Sequence, residues 1–431
     1  MRRSIVVVSH VTPWPAAAGN EYRLARLISW LETSGFDVHL VYNPMRHTPL
    51  GEDELRQLAT RYPRLYVVDP RGPSVTFATD VPEAYTAMIE LARHPVRSHA
   101  RELAAYAEQL EPRVLDRTRS FAPDPVIDVV SDLADALRPA AVIALYIFMA
   151  PVLRFLPRGT LRMLDLIDVF SSKMEKVLRF GVDDSLAVSG ADEALLVRAA
   201  DVAIAIQAEE SNAIRALVPD RTVITAGIDF PVVDSIGDPV GQRVLLVGSD
   251  NALNKAGLAA FLHYAWPLVV RSVPRAELAV VGSVGRILSG AETGVTVLGR
   301  VDDIDAAYSS AAVAINPAVA GTGVKVKTLE AIAHLRPIVV WPSGTDGVPD
   351  AVRQACSIAT DWSMFARHVI EHLTRPEPLA KLRSDRARFV EALSADATYA
   401  ELRQVLEGSQ VDGTGATLPE VTTARPAVVR T

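Results

Sequence analysis

The sequence predicts an α/β protein with two doubly wound parallel sheets, and three observations support that prediction. Short β-branched runs alternate with amphipathic helical segments along most of the chain, as in βαβ units. The alternation restarts after the polar, turn-forming stretch Gly237-Asp238-Pro239. A chain of 431 residues is also longer than one hydrophobic core usually serves. Because such sheets bind ligands at the carboxyl ends of their strands, we expect a site where the two halves meet.

The first half begins with a strand, a loop and a helix. Ile5 to Val8 is short and β-branched, as expected of a strand that is buried on both faces. Residues 21–33 place Leu24, Leu27 and two further apolar side chains on one helical face, and Gly35 ends that helix. Further strands are predicted at residues 38–41, 66–68, 141–146, 162–166 and 202–206.

The second half repeats this alternation, and the whole pattern gives a domain plan. Strands are predicted at residues 244–248, 278–281, 295–298, 313–316 and 338–341, with helices at 257–270, 302–309 and 325–334. The plan has an N-terminal domain at 1–237 with a helical insertion at about 74–124, a second domain at 238–375, a helical segment at 376–407 that packs back on the first domain, and a disordered tail at 408–431.

Composition narrows the class of protein. The formal net charge of −7 argues against a nucleic-acid partner, which needs a basic surface to neutralise phosphates. A single cysteine, Cys356, excludes a disulfide framework or a thiolate metal site within one chain. The longest apolar run, residues 140–150, is about half of the ~20 residues that span a bilayer. We therefore expect a soluble, cytoplasmic protein whose oligomeric state is open.

The stretch from Asn316 to Glu330 is the most informative part of the chain. A buried strand ends at Asn316, and a glycine-bearing loop leads into a helix whose free N–H groups favour an anion. Gly321 and Gly323 allow a phosphate close to the backbone, and two basic residues sit near the first helical turn. Glu330 is placed to accept hydrogen bonds from ribose hydroxyls. The alternative is a solvated helix start with a Lys–Glu pair. The two basic residues are Lys325 and Lys327.

Four segments carry a family resemblance that covers nearly all of the ordered chain. Residues 321–331 resemble the donor-site motif of GT-B glycosyltransferases of family 4, a retaining group in which many members have Gly-Thr-Gly, three further residues and then Lys-Val-Leu-Glu-Ala. Residues 9–20, 248–257 and 299–304 resemble the first loop, the start of the second domain and the element near the nucleobase. The resemblance implies two Rossmann-like domains that face each other across a cleft. It also implies transfer of a hexosyl group from a nucleotide-diphosphate sugar to an acceptor hydroxyl, with retention.

The resemblance assigns roles at the donor site. Glu330 would bind the ribose, the backbone N–H groups of Thr328 and Leu329 would hold the distal phosphate, and Lys327 would face the pyrophosphate, with Lys255 as a second cation. Two positions depart from the family pattern. Thr322 stands where the family usually has a glutamate, and Ser249 stands in place of the arginine that usually follows the first glycine, Gly248.

With these departures, lysines and helix dipoles would have to stabilise the negative charge of the leaving diphosphate. No Asp-x-Asp motif is required, so we expect a metal-independent reaction with no cofactor beyond the donor. The base is open among UDP-, GDP- and dTDP-sugars. The acceptor is expected to be a glycan, a glycolipid or a secondary metabolite.

The first loop is the second candidate site. Gly19 and Asn20 combine close backbone approach with a capping side chain, and in the family this loop lies between donor phosphates and acceptor. An ordinary strand-to-helix turn is the alternative. Arg23, one turn inside the helix, faces either the cleft or the solvent.

Catalytic groups in the first domain are harder to assign. Retaining family members often place a histidine at a strand end, whereas the matching strand here offers Tyr146. Asp168 follows the next strand and is either an active-site carboxylate or a cap for the helix that starts near Ser171. His10, at the end of the first strand, is either an acceptor-side contact or a structural residue.

Several features remain open. The loop at residues 341–347 resembles the family's donor-pocket closure. Basic residues in the insertion suit an anionic acceptor or peripheral contact with a membrane, although interleaved glutamates favour a solvated face. A sugar-nucleotide epimerase of the same fold and a non-catalytic nucleotide-sugar binder are the alternative functions.

Overall fold

The computed structural model describes residues 3–14, 16, 18–44, 51–68, 75–77, 99–172, 188–290, 292–319 and 324–408. These residues form two α/β domains, each built on one sheet. The strands of the first domain are β1 Arg3–Ser9, β2 Phe36–Tyr42, β3 Leu65–Val68, β4 Val75–Phe77, β5 Ala141–Leu145, β6 Leu161–Asp165, β7 Val202–Ala205 and β8 Thr222–Thr225.

These eight strands pair in the order β4-β3-β2-β1-β5-β6-β7-β8, and every pair is parallel except β3 with β4. The helices that connect them include a 3₁₀ helix at Ile147–Phe155. The α-helices are α1 Gly19–Thr33, α2 Glu52–Arg61, α3 Ala100–Ala107, α4 Pro112–Phe121, α5 Asp124–Leu137, α6 Gly190–Val197 and α7 Ala208–Leu217.

The second domain contains a six-stranded sheet in which every pair is parallel, in the order β11-β10-β9-β12-β13-β14. Its strands are β9 Arg243–Val247, β10 Glu277–Val281, β11 Val295–Gly299, β12 Val313–Asn316, β13 Ile338–Val340 and β14 Ser357–Ile358.

Helices flank this sheet and continue to residue 408. Short 3₁₀ segments occur at Ser283–Ile287 and Pro342–Thr345, and a π-helical segment at Phe261–Ala265 joins two α-helices. The α-helices are α8 Ala252–Ala260, α9 Trp266–Ser272, α10 Ile304–Ser310, α11 Val326–Ala333, α12 Asp350–Ala355, α13 Trp362–Thr374, α14 Glu377–Ser384, α15 Arg386–Ala392, α16 Ala395–Thr398 and α17 Ala400–Gly408.

Strand β1 shows how the sequence fixes the first sheet. Ile5 and Val7 pack in one apolar cluster, while Val6 and Val8 pack in the cluster on the opposite face. All four side chains are fully buried. Side chains alternate between the two faces of a strand, so a run of β-branched residues without polar alternation requires cover on both faces. The predicted doubly wound architecture is confirmed.

The predicted strands are all present, but three observed strands were not predicted. These are β4, β8 and the two-residue β14. All three lie at sheet edges and are short, so the sequence pattern that marks a buried strand is weak in them. The predicted insertion falls partly outside the described residues, and its described part contains α3 and α4. The predicted disordered tail lies outside the described residues, apart from residue 408.

The chain passes between the domains twice. Residues that follow β8 lead to the second domain, and the C-terminal helix α17 returns to the first. Leu402, Val405 and Leu406 of α17 pack in the same apolar cluster as Leu24 of α1. Helices α14 and α15 instead place Leu382 and Phe389 in the core of the second domain. Only the end of the segment 376–407 therefore packs on the first domain.

Candidate active site

The starts of α1 and α11 meet where the two domains face each other. A Cβ built on Gly19 would lie 3.2 Å from Cγ2 of Val326, at the first residue of α11. The predicted first loop and the predicted donor motif are thus in van der Waals reach across the domain boundary. Gly321, Thr322 and Gly323, which carry part of that motif, lie outside the described residues.

Lys327 lies on the first turn of α11 and contacts the start of the second domain. Its Nζ donates to Oδ1 of Asn254 over 2.5 Å, and Nδ2 of Asn254 donates to the carbonyl of Ser249 over 2.9 Å. Burial lowers the pKa of the Lys327 ammonium to about 8. The structure therefore brings Lys327, Ser249 and Gly248 together through Asn254. Asn254 was not predicted as a site residue, although it lies within the motif that begins at Gly248.

Glu330 lies one helical turn after Lys327 and is held by a buried tyrosine. The hydroxyl of Tyr308 donates to Oε2 of Glu330 over 2.9 Å, and the Tyr308 ring stacks on His334 with ring centroids 4.4 Å apart. Nε2 of His334 lies 2.9 Å from Oδ1 of Asp305. Burial raises the pKa of the Glu330 carboxyl, and the Tyr308 hydrogen bond opposes that rise. Tyr308 therefore favours the ionised carboxylate that a ribose would require.

Replacing Tyr308 by phenylalanine is expected to raise the pKa of Glu330 further, because the ionised form loses a hydrogen bond. Nucleotide affinity that depends on the carboxylate is lost as the pH falls through that pKa. The acid limb of affinity against pH should therefore move to higher pH in Tyr308→Phe, which titration calorimetry of a bound nucleoside diphosphate would measure. The exposed Tyr264 supplies the control Tyr264→Phe. An unchanged acid limb in Tyr308→Phe would contradict the assignment.

The backbone N–H groups predicted to hold the distal phosphate are occupied. Thr328 N–H and Leu329 N–H both donate to the carbonyl of Lys325, over 2.9 and 3.1 Å. The Thr328 hydroxyl donates to the carbonyl of Gly344, which belongs to the loop predicted to close the donor pocket. The prediction that these two N–H groups hold the phosphate therefore needs correction, because in this structure both are used inside the helix.

Lys255 is also engaged differently from the prediction. Its Nζ forms an ion pair with Oδ1 of Asp250 over 2.9 Å, and both side chains are partly exposed. A second basic residue, Arg286, places its Nη1 4.0 Å from Oδ2 of the same carboxylate. Lys255 therefore neutralises Asp250 in this structure, and its role as a second phosphate cation requires that pair to break.

The first loop corrects two further predictions. The cap residue of α1 is Ala18, whose N–H donates to the carboxylate of Glu21 over 3.0 Å, so Asn20 is not the cap. Oδ1 of Asn20 instead accepts the Glu21 N–H. Arg23 is 1% exposed, which excludes both the cleft and the solvent placements.

The guanidinium of Arg23 joins three parts of the first domain. Nη2 donates to Oδ1 of Asp165 over 2.9 Å, and Nε donates to both oxygens of the same carboxylate. Nη1 donates to the carbonyls of Ala226 and Gly227, in the segment that leads to the second domain. Arg23 therefore anchors the connection between domains at the end of β6, and it supports the site without lining it.

His10 lies at the end of β1 against aromatic rings. Its ring centroid is 4.6 Å from that of Phe121 and 4.7 Å from that of Tyr146. Burial lowers the pKa of the His10 imidazole to about 4, so the ring is neutral at physiological pH. Its Nδ1 is buried and has no hydrogen-bond partner. A neutral imidazole with an unsatisfied nitrogen is suited to hydrogen bonding with a hydroxyl group.

Strained backbone occurs at the ends of the neighbouring strands β5 and β6. Tyr146 has φ 79° and Ile167 has φ 64°, values that non-glycine residues rarely adopt. Asp168 follows directly and is half-buried. The N–H groups of Phe170 and Ser171 donate to the carboxylate of Glu193, over 2.8 and 3.0 Å. Glu193 therefore caps this helical turn from a distant helix.

Unsatisfied buried polar atoms occur at four strand ends. Buried polar groups in proteins usually have a hydrogen-bond partner, so each exception needs an explanation such as a ligand. Two of these atoms belong to the residues that directly follow β1 and β2. The third belongs to a residue just after β7, and the fourth belongs to the last residue of β12 in the second domain. They lie at the carboxyl ends of parallel strands, where such sheets bind ligands. The atoms are His10 Nδ1, Asn43 Oδ1, Gln207 Oε1 and Asn316 Oδ1.

Gln207 also makes a tight contact between the domains. A Cβ built on Gly347, which has φ 71°, would lie 1.7 Å from Oε1 and 3.0 Å from Cβ of Gln207. Gln207 follows β7 in the first domain and is 4% exposed, so it has little room to move. The glycine at position 347 is therefore required both by its backbone conformation and by the Gln207 side chain.

Replacing Gly347 by alanine is expected to lower the free energy of unfolding by about 1–2 kcal/mol more than Gly290→Ala. Gly290 is the matched control because it has φ 82° but nothing within 4 Å of its built Cβ. Both variants share the backbone cost, and only Gly347→Ala forces Gln207 to move. Chemical denaturation would measure the difference. In a Gln207→Ala background, Gly347→Ala should cost no more free energy of unfolding than Gly290→Ala. If the two glycine variants cost the same while Gln207 is present, the contact is refuted.

The described part of the chain contains no group of three or more His, Cys, Asp or Glu side chains arranged to hold a metal ion. No helix within the same ranges is both long and apolar enough to cross a bilayer. Metal independence and cytoplasmic localisation stay predictions.

The two α/β domains, with the starts of α1 and α11 in contact at their boundary, have the architecture of a GT-B protein. Residues 241–375, most of the second domain, match the family model described as Glycosyl transferases group 1. The match covers about a third of the chain and includes α11, Asn254 and Tyr308.

Solved structures with the same fold cover both domains. The G117R mutant of TarM from Staphylococcus aureus, in complex with fondaparinux, α-GlcNAc-glycerol and UDP, has a TM-score of 0.63 at 10% identity over 94% of this chain and 99% of that chain. Sucrose-phosphate synthase from Thermosynechococcus elongatus has a TM-score of 0.59 at 15% identity over 94% of this chain and 98% of that one. At these identities the likeness shows the fold alone.

A third similar structure and one curated relative complete the comparison. A candidate UDP-N-acetylglucosamine 2-epimerase from Listeria monocytogenes has a TM-score of 0.54 at 12% identity over 98% of this chain and 100% of that chain. An uncharacterised 44.6 kDa protein in the cps region of Klebsiella pneumoniae is 25% identical over 130 residues, which are 28% of this chain. The match spans 34% of that relative's length.

Proposed function

We propose that this protein transfers a sugar from a nucleotide-diphosphate sugar to an acceptor hydroxyl, with retention and without a metal ion. The observation that carries the proposal is that Lys327 and Glu330 lie one turn apart at the start of α11, whose first residue, Val326, faces Gly19. A half-buried cation and a half-buried carboxylate one turn apart match the pyrophosphate and the ribose of such a donor.

The proposed mechanism relies on positioning and electrostatics. Lys327 and the positive end of α11 stabilise the charge that develops on the departing diphosphate. Glu330, held by Tyr308, fixes the ribose and so the orientation of the sugar. Closure of the domains excludes water and limits donor hydrolysis.

The first domain supplies the acceptor side in this proposal. His10, neutral and with an unsatisfied Nδ1, accepts a hydrogen bond from the acceptor hydroxyl. Asp168, on the strained turn after β6, provides negative charge near the developing positive charge of the transferred sugar. The strain at Tyr146 and Ile167 supports this assignment, because strained backbone concentrates at functional sites.

The nucleoside of the donor is proposed to be uridine, guanosine or thymidine. The acceptor is proposed to be a glycan, a glycolipid or a secondary metabolite. The UDP present in the TarM complex supports uridine as the first nucleoside to test. The protein is proposed to act in the cytoplasm.

Incubation of the protein with an isotope-labelled donor, with and without candidate acceptors, tests the proposal. Label in a new acceptor product supports sugar transfer. Isomerised donor without acceptor supports an epimerase, and tight binding without turnover supports a nucleotide-sugar binder; either result would overturn the proposed transfer. The Glu330→Ala variant serves as the negative control for donor-dependent product.

A further inference from the structure

One face of α1 contacts the second domain and the connection that leads to it. Gly19, Tyr22 and Arg26 are spaced three and four residues apart, so they lie on one side of the helix. Gly19 faces Val326 at the start of α11. The Tyr22 ring stacks on that of Phe230, with ring centroids 4.9 Å apart and an interplanar angle of 24°. Helix α1 therefore extends from the candidate donor site to the point where the chain leaves the first domain.

Asp229 lies in that connection, directly before Phe230, and its side chain is 2% exposed. Nε of Arg26 donates to Oδ2 of Asp229 over 3.1 Å, and Nη2 of Arg26 donates to the same oxygen. The hydroxyl of Tyr399 donates to the other oxygen, Oδ1, over 3.1 Å. One buried carboxylate thus binds α1 on one side and, on the other, the residue that precedes α17.

The two passages of the chain between the domains lie side by side at this point. The N–H of Phe230 donates to the carbonyl of Leu393 over 3.0 Å, which joins the outgoing passage to the returning one. Phe230 and Leu393 both pack in the core of the second domain. Tyr399 instead packs in a core cluster of the first domain, where its ring stacks on that of Trp30 with centroids 4.7 Å apart. Asp229 therefore lies where both passages cross from one core to the other.

The burial of Asp229 makes these bonds costly to break. Removing one partner of a buried ion pair leaves an uncompensated charge, which destabilises a protein far more than the loss of an exposed pair. Burial and the charge of Asp229 raise the pKa of Tyr399 well above its usual value, so its hydroxyl stays protonated and donates. A rotation of the first domain that separates α1 from the connection must therefore break hydrogen bonds to a buried carboxylate.

We propose that Asp229 is a positioning residue for sugar transfer, whose bonds to Arg26 and Tyr399 join α1 to both passages of the chain and so fix how the first domain meets α11. The acceptor side of the first domain then keeps a constant position relative to the donor site of the second. The part of this proposal that concerns transfer rests on the proposed function, whereas the contact between the domains does not.

The distance between the domains tests the Asp229 contact without any substrate. Spin labels on Gln57→Cys and Ser272→Cys, one exposed position in each domain, report that distance by double electron–electron resonance in a Cys356→Ser background. We expect one narrow distance distribution with Asp229 present and a distribution at least about twice as wide in Asp229→Asn, because more than one domain arrangement becomes populated. Equal widths with and without Asp229 would overturn the proposal.

Asp128→Asn is the matched control for this measurement. Asp128 is also a buried carboxylate with a polar partner, since its Oδ1 lies 2.7 Å from Nε2 of His99, but both residues belong to the first domain. The distribution should stay narrow in this variant. Equal widening in Asp128→Asn and Asp229→Asn would indicate a general loss of stability, which contradicts a specific contact between the domains.

Variants of Arg26 separate the ion pair from the fold of the connection. The Arg26 side chain is 27% exposed, so its replacement leaves a less buried gap than that of Asp229. Arg26→Gln should widen the distance distribution, whereas Arg26→Lys, which keeps the cation, should restore most of the narrow width. Equal widening in both variants would contradict the role of the ion pair.

The positioning role is tested by comparing nucleotide binding with turnover. Lys327 and Glu330 belong to the second domain, so Asp229→Asn should bind UDP, GDP or dTDP, whichever the wild type binds, within about twofold of the wild-type affinity. Its kcat for transfer should fall at least about tenfold, while Asp128→Asn keeps its kcat.

Two outcomes of that comparison would contradict positioning by Asp229. Equal losses of nucleotide affinity and kcat would show that Asp229 supports the fold of the donor site, and an unchanged kcat would remove its role in transfer. Failure of the wild type to transfer sugar would count against the proposed function instead, and the distance measurements would then decide whether the Asp229 contact holds the domains.

Discussion

Replacing Arg23 by methionine is expected to lower the free energy of unfolding by about 3–5 kcal/mol. The Arg23 and Asp165 side chains are 2% and 0% exposed, and Nη2 and Oδ1 lie 2.9 Å apart. Methionine keeps much of the apolar volume, but it leaves the Asp165 carboxylate buried without its cation. It also removes the donors to the carbonyls of Ala226 and Gly227. Chemical denaturation followed by circular dichroism would measure the loss.

The matched control is Arg353→Met, which removes a surface ion pair. Arg353 and Asp350 are 51% and 79% exposed, so their pair is expected to contribute less than about 1 kcal/mol. Similar losses in the two variants, or a loss below about 1 kcal/mol in Arg23→Met, would contradict the anchoring role of Arg23.

Replacing Lys327 by alanine is expected to lower kcat/KM for the donor at least tenfold, which corresponds to about 1.4 kcal/mol of transition-state stabilisation. Lys327 is the half-buried cation of the proposed donor site, and alanine removes both its charge and its contact with Asn254. Steady-state transfer or donor hydrolysis would measure the effect. Lys381→Ala, on the exposed face of α14, is the control and should leave kcat/KM unchanged.

The pH dependence of the same site has a definite sign. The pKa of Lys327 is lowered to about 8 by burial, so the unliganded side chain loses its proton as the pH rises through that value. A diphosphate needs the ammonium, and its affinity should therefore fall between about pH 7 and 9. Lys327→Ala should remove this dependence. Affinity that rises with pH, or an alkaline decline that persists in Lys327→Ala, would show that Lys327 does not face the diphosphate.

Much of the fold could be predicted because the strands that build it are local patterns. The β-branched run from Ile5 to Val8 predicts a strand buried on both faces. The structure confirms this, because alternate side chains of the strand pack in two apolar clusters on opposite faces of the sheet. Two such sets of strands predict two doubly wound domains, whereas the GT-B arrangement was implied by the resemblance of residues 321–331 to a family motif. The edge strand β14 was not predicted, because a strand of only two residues is too short to show a periodic pattern.

The candidate site was predicted less completely, because its contacts join distant residues. Arg23 resembles any charged residue on a helix, and only the fold reveals its partner Asp165, 142 positions away. Glu193 caps the turn after Asp168 from a helix that begins at Gly190, beyond the reach of any local rule. Lys327 and Glu330 were predicted because a glycine loop, a helix start and their spacing are adjacent in the sequence.

The most direct test of the central claim is a thermal-shift measurement with UDP, GDP, dTDP and ADP on the wild type and on Lys327→Ala. A ligand at 100 times its Kd stabilises the folded state by about 2.7 kcal/mol, which is readily detected as a rise in Tm. We predict that one of the first three nucleotides raises the Tm of the wild type by several degrees and that Lys327→Ala loses most of that rise. No shift with any nucleotide, or an equal shift in both proteins, would contradict a diphosphate site at the start of α11.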